Sequence, residues 1–400
     1  MFPISNRLNL IKPSATLALV KKTTELKKIG IDIISLGAGE PDFDTPDNIK
    51  EAAIKAIREG ITKYTNVDGM PLLKQAVQHK FQRENNLYYD LDELIVSCGG
   101  KQVIYNLFMA SLNPGDEVII PAPYWVSYPD IILLASGIPV FVNCGIKDKF
   151  KLNIEMLEQA ITPRSKWLII NSPSNPTGAS YSYDELIDIA ELLRKYPFIQ
   201  IMTDDIYEHI TFNDFKFYTL AQVAPDLRDR IFIVNGLSKA YSMTGWRIGY
   251  GAGSKSLIKA MTIVQSQSTS NPCSISQVAA IEALMGPQDF IKTNALNFQK
   301  KRDLALSILS RIKGIGCYQP EGAFYLFLGC EELFNYRTPA NGIIKNSTDF
   351  CEYLLEEAKV AVVPGIAFGL EGYFRISYAT SEEELQQACL RIEAACKLLQ

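Results

Sequence analysis

The stretch Gly236-Leu-Ser-Lys-Ala-Tyr-Ser-Met-Thr-Gly-Trp-Arg-Ile-Gly249 places a single amine, Lys239, between two apolar segments. The preceding residues, 231–234, are typical of a buried strand. No acidic residue lies within eight positions of Lys239 on either side. A partly desolvated lysine without a carboxylate partner can attack carbonyl groups. Most loop lysines are solvated surface residues, but surface loops seldom surround the lysine with Leu, Tyr, Met and Trp. We therefore predict a reactive lysine here.

The composition is that of a globular enzyme. The chain has 400 residues, of which 47% are hydrophobic and 21% charged. The net charge of -4 offers no basic excess for binding a nucleic acid. No apolar stretch approaches the roughly 18 residues of a membrane-spanning helix, and the first residues lack the apolar core of a signal peptide. The eight cysteines form no C-x-x-C pair. We expect a cytoplasmic protein that binds neither nucleic acid nor membrane.

Only two histidines, His79 and His209, are present. A His-rich metal site is therefore impossible, and a serine or cysteine triad would need one of these two imidazoles. The sequence predicts no metal site.

Short apolar runs alternate with amphipathic stretches from about residue 46 to residue 290, which predicts an α/β fold with a mostly parallel sheet. Polar or glycine-rich segments follow the runs directly, notably 99–102, 172–178, 204–207 and 236–239. Because such sheets bind ligands at the carboxyl ends of their strands, we expect these loops to meet at one edge. After about residue 290, a long helix leads into a smaller α+β segment, with helices predicted over 346–359 and 381–399.

The run around Lys239 resembles the lysine-attachment segment of class I and II aminotransferases, in which an arginine follows at the spacing of Arg247. The resemblance is closest to the bacterial aspartate aminotransferase subgroup, and it extends from Asn9-Leu-Ile-Lys-Pro-Ser-Ala-Thr16 to Phe374-Arg-Ile-Ser-Tyr-Ala379. It implies pyridoxal 5'-phosphate bound to Lys239 as a Schiff base. It also implies the type I fold of pyridoxal-phosphate-dependent transferases, with a large domain over 46–290 and a small domain formed by 1–45 together with 291–400.

Three polar residues match those that hold the cofactor ring in this family. Asp204, three residues before Tyr207, matches the aspartate that pairs with the pyridine nitrogen and keeps it protonated. Tyr207 and Asn175, in Ser172-Pro-Ser-Asn-Pro-Thr-Gly178, match donors to the phenolic oxygen. From the local sequence alone, Asp204 would be interpreted as a cap or turn residue at the end of a strand, and Asn175 as part of an Asn-Pro turn.

The cofactor phosphate has five candidate contacts, one of them from a neighbouring subunit. Gly99-Gly-Lys-Gln102 follows a strand and opens a helix, where exposed amides and the helix dipole favour an anion. Gly99, Gly100 and Lys101 lie in this turn, and the resemblance adds Arg247. Tyr64 matches a tyrosine that reaches the phosphate of the neighbouring subunit, which implies a homodimer with shared active sites.

The remaining matches concern the substrate. Trp125 matches the ring stacked on the cofactor, although a tryptophan is more often simply core. Arg375 matches the arginine that grips the substrate α-carboxylate, and Gly39 lies in the loop that closes over it. In the resembled subgroup, Lys101 binds a distal carboxylate, assisted by the segment 14–16, and Lys12 is linked to the use of prephenate. The alternatives are a helix-start residue for Lys101 and a solvated loop charge for Lys12.

The resemblance thus implies transamination between L-aspartate and 2-oxoglutarate, giving oxaloacetate and L-glutamate, with prephenate as a further acceptor that yields arogenate. Fold alone does not decide this, since the scaffold hosts other chemistries. The alternatives are an aromatic or other amino acid aminotransferase, a β-lyase of the same scaffold, or a non-enzymatic cofactor-binding regulator. Such regulators normally carry an added DNA-binding segment, and none precedes the Lys12-Pro-Ser-Ala-Thr16 segment.

Overall fold

The computed structural model describes residues 2, 4–11, 13 and 15–400. Its strands are β1 Ile34–Ser35, β2 Leu94–Ser97, β3 Glu117–Ala122, β4 Ile138–Asn143, β5 Ser165–Asn171, β6 Gln200–Asp204, β7 Ile231–Gly236, β8 Gly249–Ala252, β9 Tyr325–Gly329, β10 Val360–Ala361, β11 Val363–Pro364 and β12 Tyr373–Ser377. Its α-helices are α1 Ala15–Lys28, α2 Asp47–Arg58, α3 Pro71–Asn85, α4 Gly100–Ser111, α5 Ser127–Leu134, α6 Ile154–Ala160, α7 Tyr183–Arg194, α8 Leu220–Val223, α9 Lys255–Ser266, α10 Ser274–Met285, α11 Asp289–Leu309, α12 Ser347–Tyr353 and α13 Glu382–Lys397.

Seven strands form the central sheet, in the order β2-β8-β7-β6-β5-β3-β4. Strand β8 runs antiparallel to both of its neighbours, and the pairs from β7 through β4 are parallel. Apart from β8, all strands of this sheet therefore end at the same edge. The loops that follow β2, β5, β6 and β7 meet there, as the sequence predicted.

Apolar clusters cover both faces of the central sheet, as its mostly apolar strands require. One face packs against α2, α3, α7 and α10, with Leu73, Ile189 and Ala280 in that core. The other face packs against α4, α5 and α9, with Leu107, Ile132 and Met261 in that core. The predicted α/β architecture, with a smaller α+β segment after it, is confirmed.

A second, smaller sheet has three antiparallel strands in the order β11-β12-β9. It packs against α11, α12 and α13. The N-terminal segment joins it, because Ile34 pairs in parallel with Val360 and the amide of Ser377 donates to the carbonyl of Leu36 at 2.7 Å. These bonds bring residues 37–39 towards the carboxyl edge of the central sheet.

One predicted helix differs from the structure. The stretch 346–359 was expected to be a single helix, but α12 ends at Tyr353 and a wider π-helical turn, Leu354–Ala358, follows. The wider turn keeps Leu354, Leu355 and Ala358 buried, and Lys359 then ends it in the left-handed region at φ 56°. Among the described residues, no helix combines the length and apolarity needed to cross a membrane.

Candidate active site

A cavity of about 500 Å³ opens where the carboxyl edge of the central sheet faces β9, β12 and the N-terminal segment. Residues 200 or more positions apart in sequence meet in it. Ten of the residues predicted from the sequence line its wall, and they are Gly39, Gly100, Lys101, Trp125, Asn175, Asp204, Tyr207, Lys239, Arg247 and Arg375. Gly99 lies directly beside this wall, next to Arg247.

Lys239 is partly buried and has no carboxylate in direct contact among the described residues. Its amine donates a hydrogen bond of 2.5 Å to the backbone carbonyl of Gly39. Loss of hydration lowers the pKa of Lys239 to about 8, and the positive charges of Arg375 and Arg247 act in the same direction against the opposing charge of Glu40. A larger fraction of this amine is therefore neutral, and nucleophilic, near neutral pH than for an ordinary lysine.

Asp204 is the last residue of β6 and its carboxylate is buried. Its Oδ2 atom accepts a hydrogen bond of 2.6 Å from the hydroxyl of Tyr128. Burial raises the pKa of Asp204 to about 6, although the Tyr128 hydrogen bond and the charge of Lys239 oppose the shift. A cationic N–H group in the cavity would offset this cost of ionisation. Asp205 is absent from the cavity wall and lies beside Thr203.

The turn after β2 forms a compact anion cradle with Arg247. Gly99 has φ 88°, a conformation that favours glycine, and α4 begins at the next residue. A Cβ atom at Gly99 would lie 2.4 Å from Nη2 of Arg247, so a larger residue would require this guanidinium to move. Nη1 of Arg247 donates to the carbonyl of Thr244 at 2.8 Å. The helix start and the guanidinium together suit a phosphate.

Lys101 extends from the first turn of α4 to the side of the cavity formed by Trp125. Its Nζ atom lies 5.1 Å from the centroid of the Trp125 ring. Partial loss of hydration and the nearby charge of Arg247 lower the pKa of Lys101. The ammonium makes no ion pair with a described carboxylate, so it can receive a ligand carboxylate.

Arg375, on β12, is a buried guanidinium without a protein carboxylate among the described residues. Nη1 donates to Oδ1 of Asn175 at 2.9 Å, and Nη2 donates to the carbonyl of Gly37 at 2.7 Å. Its Nε atom is buried and has no partner in the described part of the chain. Burial lowers the pKa of Arg375. An unpaired buried cation is costly, so this group is arranged to receive an anion.

Two site tyrosines were not predicted from the sequence. Tyr128 holds the Asp204 carboxylate, and Tyr325, on β9, places its hydroxyl 2.8 Å from that of Tyr207. Tyr128 lies in the segment that follows β3, and this position after a strand end could have indicated that it belongs to the site. Tyr325 begins the mostly apolar strand β9, and nothing in its local sequence sets it apart.

The structure does not bring every predicted residue into the cavity. Tyr64 is 92% exposed and lies outside the cavity of its own chain. Lys12 and Ser14 fall outside the described residues, as do the side chains of Ala15 and Thr16. The predicted roles of these residues remain predictions.

A buried ionic cluster lies directly behind Tyr207. Glu208 is in contact with the ammonium of Lys80 and accepts from Nδ2 of Asn235 at 2.6 Å. Burial alone raises the pKa of Glu208, but Lys80 and His209 bring it below its ordinary value. Ligand atoms of Glu84, Glu208 and His209 lie within 4.8 Å of one another, as a metal site would require. Lys80 already supplies the cation, so the cluster is an ion-pair network.

Comparisons with known proteins agree with this geometry. Residues 31–392 match the family described as aminotransferase class I and II. A probable aspartate/prephenate aminotransferase of Rickettsia felis is 76% identical over 98% of this chain and 96% of its own length. An aspartate/prephenate aminotransferase of Cereibacter sphaeroides is 56% identical over 98% of both chains. The crystal structure of the aspartate aminotransferase from Rhizobium meliloti superimposes with a TM-score of 0.97, at 53% identity and with complete coverage of both chains.

The chain belongs to the class I and II aminotransferases, with the type I fold of this family. Enzymes of the family depend on pyridoxal 5'-phosphate, and the described residues fit that cofactor. The Gly99–Arg247 cradle suits its phosphate, the carboxylate of Asp204 suits its ring nitrogen, and the amine of Lys239 suits its aldehyde. The protein is a pyridoxal-phosphate-dependent aminotransferase.

Proposed function

We propose that this enzyme transfers the amino group of L-aspartate to 2-oxoglutarate, giving oxaloacetate and L-glutamate, and that prephenate is a further acceptor, giving arogenate. One observation carries the proposal. An amine of lowered pKa, Lys239, shares a cavity with Arg375, a buried guanidinium that lacks a carboxylate partner. The names of the relatives at 53–76% identity support aspartate and prephenate as substrates.

Lys239 is the proposed catalytic residue. When bound, pyridoxal phosphate supplies an electron sink that stabilises negative charge at the substrate α-carbon. Lys239 would hold the resting cofactor, and the substrate amine would take its place. Its neutral amine would then take the proton from the substrate α-carbon and give it to the carbon of the cofactor that carried the aldehyde. In the return half-reaction it would move a proton in the opposite direction. The lowered pKa supports this role, because the same group must both accept and release a proton near neutral pH.

Asp204, Tyr207 and Asn175 are the proposed partners of the cofactor ring. The buried carboxylate of Asp204 favours a protonated ring nitrogen, since the pair of opposite charges offsets the cost of burying each. The hydroxyl of Tyr207 and the amide of Asn175 donate to the ring oxygen. Burial and the neighbouring Tyr325 keep the pKa of Tyr207 well above its usual value, so that it remains a donor.

The phosphate and the substrate α-carboxylate have separate partners in this proposal. Gly99, Gly100, Lys101 and Arg247 form the positive side, which receives the phosphate. Arg375 receives the substrate α-carboxylate, and Trp125 and Gly39 bound the space between the two anions. Lys101, whose ammonium lies on the Trp125 side of the cavity, is also the proposed partner of the distal carboxylate of aspartate or glutamate. Lys12 is the proposed determinant of prephenate use.

A homodimer with shared active sites completes the proposal. The side chain of Tyr64 is exposed to solvent, but buried side chains hold the loop that carries it through hydrogen bonds. The side-chain amide of Gln277 donates to the hydroxyl of Thr65 at 3.0 Å, and its oxygen accepts from the amide of Met70 at 2.7 Å. The side chain of Gln265 donates to the carbonyl of Val67 at 2.6 Å. A rigid loop that presents an aromatic ring suits insertion into another chain, where Tyr64 would contact the phosphate.

The proposed domain division follows the cores. Residues 46–290 form the large cofactor-binding domain, and residues 1–45 with 291–400 form the small domain. The apolar clusters on the central sheet draw on residues from Ile49 to Ile291, whereas the cluster around β9 and β12 combines Ile34 and Leu36 with residues from Phe298 onwards. Tyr207, Ile210 and Phe212 also belong to the second cluster, so in this division they would lie where the two domains meet. A cytoplasmic location fits the free cysteines, five of them buried.

A panel of amino donors tests the proposed substrates. Aspartate, glutamate, phenylalanine and alanine are each supplied with 2-oxoglutarate, oxaloacetate or prephenate, and both products are quantified. We expect the highest kcat/KM for aspartate with 2-oxoglutarate, and measurable arogenate with prephenate. A preference for phenylalanine would favour an aromatic aminotransferase, and release of sulfide, ammonia and pyruvate from cysteine, supplied without an acceptor, would indicate a β-lyase. Cofactor binding without turnover would leave a regulator, and each of these results would overturn the proposal.

A further inference from the structure

Tyr325 lies in the wall of the cavity, in contact with both Arg375 and Tyr207. It is fully buried, lies on β9, and pairs across the sheet with Ser377 on β12. Arg375 lies two residues from Ser377 on the same strand, so the side chains of Arg375 and Tyr325 are diagonal neighbours on one face. The guanidinium carbon of Arg375 lies 4.6 Å from the centroid of the Tyr325 ring. The face of the Tyr325 ring thus packs against the buried guanidinium of Arg375.

The hydroxyl of Tyr325 points across the cavity to the loop after β6. It lies 2.8 Å from the hydroxyl of Tyr207, and in the described part of the chain each hydroxyl has the other as its hydrogen-bond partner. Gly39 backs this pair, because a Cβ atom there would lie 3.0 Å from the Tyr325 oxygen. The carbonyl of the same glycine accepts from the amine of Lys239. Tyr325 therefore contacts Tyr207, Arg375 and Gly39 directly, and Gly39 connects it to the amine of Lys239.

We infer that Tyr325 is a positioning residue with two separable roles: its ring holds Arg375 for the substrate carboxylate, and its hydroxyl donates to Tyr207 and strengthens the hydrogen bond that Tyr207 makes to the cofactor. The inference rests on the proposed function, since it requires Tyr207 to face the ring oxygen. A packing role alone is the simpler explanation for a buried tyrosine, because a buried hydroxyl needs some partner.

The direction of the hydrogen bond follows from proton count. Tyr207 carries one hydroxyl proton, so when that proton is donated to a ligand oxygen, only its own oxygen remains to accept. Tyr325 is the neighbour that can then donate. Hydrogen bonds in such a chain polarise one another, so the donation from Tyr325 makes Tyr207 a stronger donor. A stronger donor favours negative charge on the cofactor oxygen and hence the deprotonated form of the lysine-bound chromophore.

Two substitutions separate the two roles in the holoenzyme. Tyr325→Phe removes the hydroxyl and keeps the ring, so the pH midpoint of the visible absorbance should rise by about 0.3 pH unit, with KM for aspartate unchanged within about two-fold. Tyr325→Leu removes the ring as well, so KM for aspartate should rise by about ten-fold. Tyr378→Phe is the matched control, because Tyr378 is equally buried and its hydroxyl donates to the carbonyl of Ala323 outside the cavity. It should leave the pH midpoint unchanged.

A double-mutant cycle tests whether Tyr325 acts through Tyr207. Tyr325→Phe should shift the pH midpoint in the wild-type background and should have no further effect in a Tyr207→Phe background. Equal shifts in both backgrounds, or the same shift from Tyr378→Phe, would overturn the inference, as would an unchanged midpoint in Tyr325→Phe. A wild-type protein without visible absorbance or aspartate turnover would instead refute the proposed function itself. Thermal melting of each variant ensures that only folded protein is compared.

Discussion

The hydroxyl of Tyr128 donates a hydrogen bond of 2.6 Å to Oδ2 of Asp204, and this bond holds the carboxylate at the end of β6 where the cavity begins. Burial nevertheless keeps the pKa of Asp204 at about 6, above its ordinary value of 3.8. A carboxylate whose pKa is higher in the folded protein than in the unfolded chain stabilises the fold at low pH. That stability is lost as the pH rises through the window from about 4 to about 6.

Asp204→Asn should therefore make the cofactor-free protein relatively more stable at high pH. Between pH 5 and pH 8, the difference in free energy of unfolding between the variant and the wild type should change by about 1 kcal/mol in favour of the variant. Urea denaturation at the two pH values measures this change. A difference that does not vary with pH would show that contacts within the cofactor-free protein already offset the cost of burying the Asp204 carboxylate.

Asp204→Asn should have the opposite effect on the loaded enzyme. The variant should bind pyridoxal phosphate more weakly and lose most of kcat, because an unprotonated ring nitrogen is a poorer electron sink. Asp205→Asn is the comparison, since Asp205 is equally buried but is not on the cavity wall. Loss of kcat in Asp205→Asn, with Asp204→Asn unaffected, would assign the role to the other carboxylate.

Lys80→Met should destabilise the protein strongly. Lys80 is fully buried in contact with Glu208, and its removal leaves that buried carboxylate without its ammonium partner. We expect the free energy of unfolding to fall by about 3–5 kcal/mol, and the double variant Lys80→Met/Glu208→Leu to recover much of this loss. Lys55→Met, which breaks an exposed pair with Glu59, should cost less than about 1 kcal/mol. Chemical denaturation of all three variants gives the comparison, and a small loss for Lys80→Met would contradict a desolvated pair.

Lys101→Ala should impair aspartate much more than an uncharged donor. Only aspartate loses a charged partner for its distal carboxylate, so KM should rise by about ten-fold or more for aspartate and change little for alanine. Steady-state kinetics with both donors, at fixed 2-oxoglutarate, measure the difference. Equal effects on the two donors would place Lys101 at the phosphate alone.

Complementation between inactive chains tests the shared active site. Tyr64→Glu places a negative charge where the phosphate of the partner site is expected, and Lys239→Ala removes the catalytic amine. In a heterodimer, one site keeps both Lys239 and Tyr64, so an equal mixture should recover roughly a quarter of wild-type activity. The mixture is assayed after subunit exchange has been verified by mass. Exchanged heterodimers without activity would show that each site is complete within one chain.

The sequence predicted those parts of the site that follow strand ends. The turn at Gly99, the loop at Asn175, Asp204 and Lys239 each come directly after an apolar run, and parallel strands necessarily bring such loops together. The choice of Asp204 over Asp205 came from the resemblance, and successive residues point to opposite sides of the chain at the end of β6.

Contacts between distant segments could not be predicted. The bond between Tyr207 and Tyr325 depends on how β9 packs against the loop after β6, and no local pattern encodes that distance. The contact of Gly99 with Arg247 and the bond from Lys239 to Gly39 depend in the same way on the register of separate strands. The interruption of the predicted helix at Tyr353 also follows from tertiary packing, because its amphipathic pattern continues through the π-helical turn.

The most direct test of the account is the comparison of Lys239→Ala with wild type in the formation of oxaloacetate from aspartate and 2-oxoglutarate. Lys216→Ala, an exposed lysine outside the cavity, is the matched control. The account predicts that Lys239→Ala remains folded, loses the visible absorbance of the lysine-bound cofactor, and forms oxaloacetate at least about 1,000-fold more slowly, because the covalent link and the proton transfer are lost together. Near-normal oxaloacetate formation by folded Lys239→Ala would contradict it.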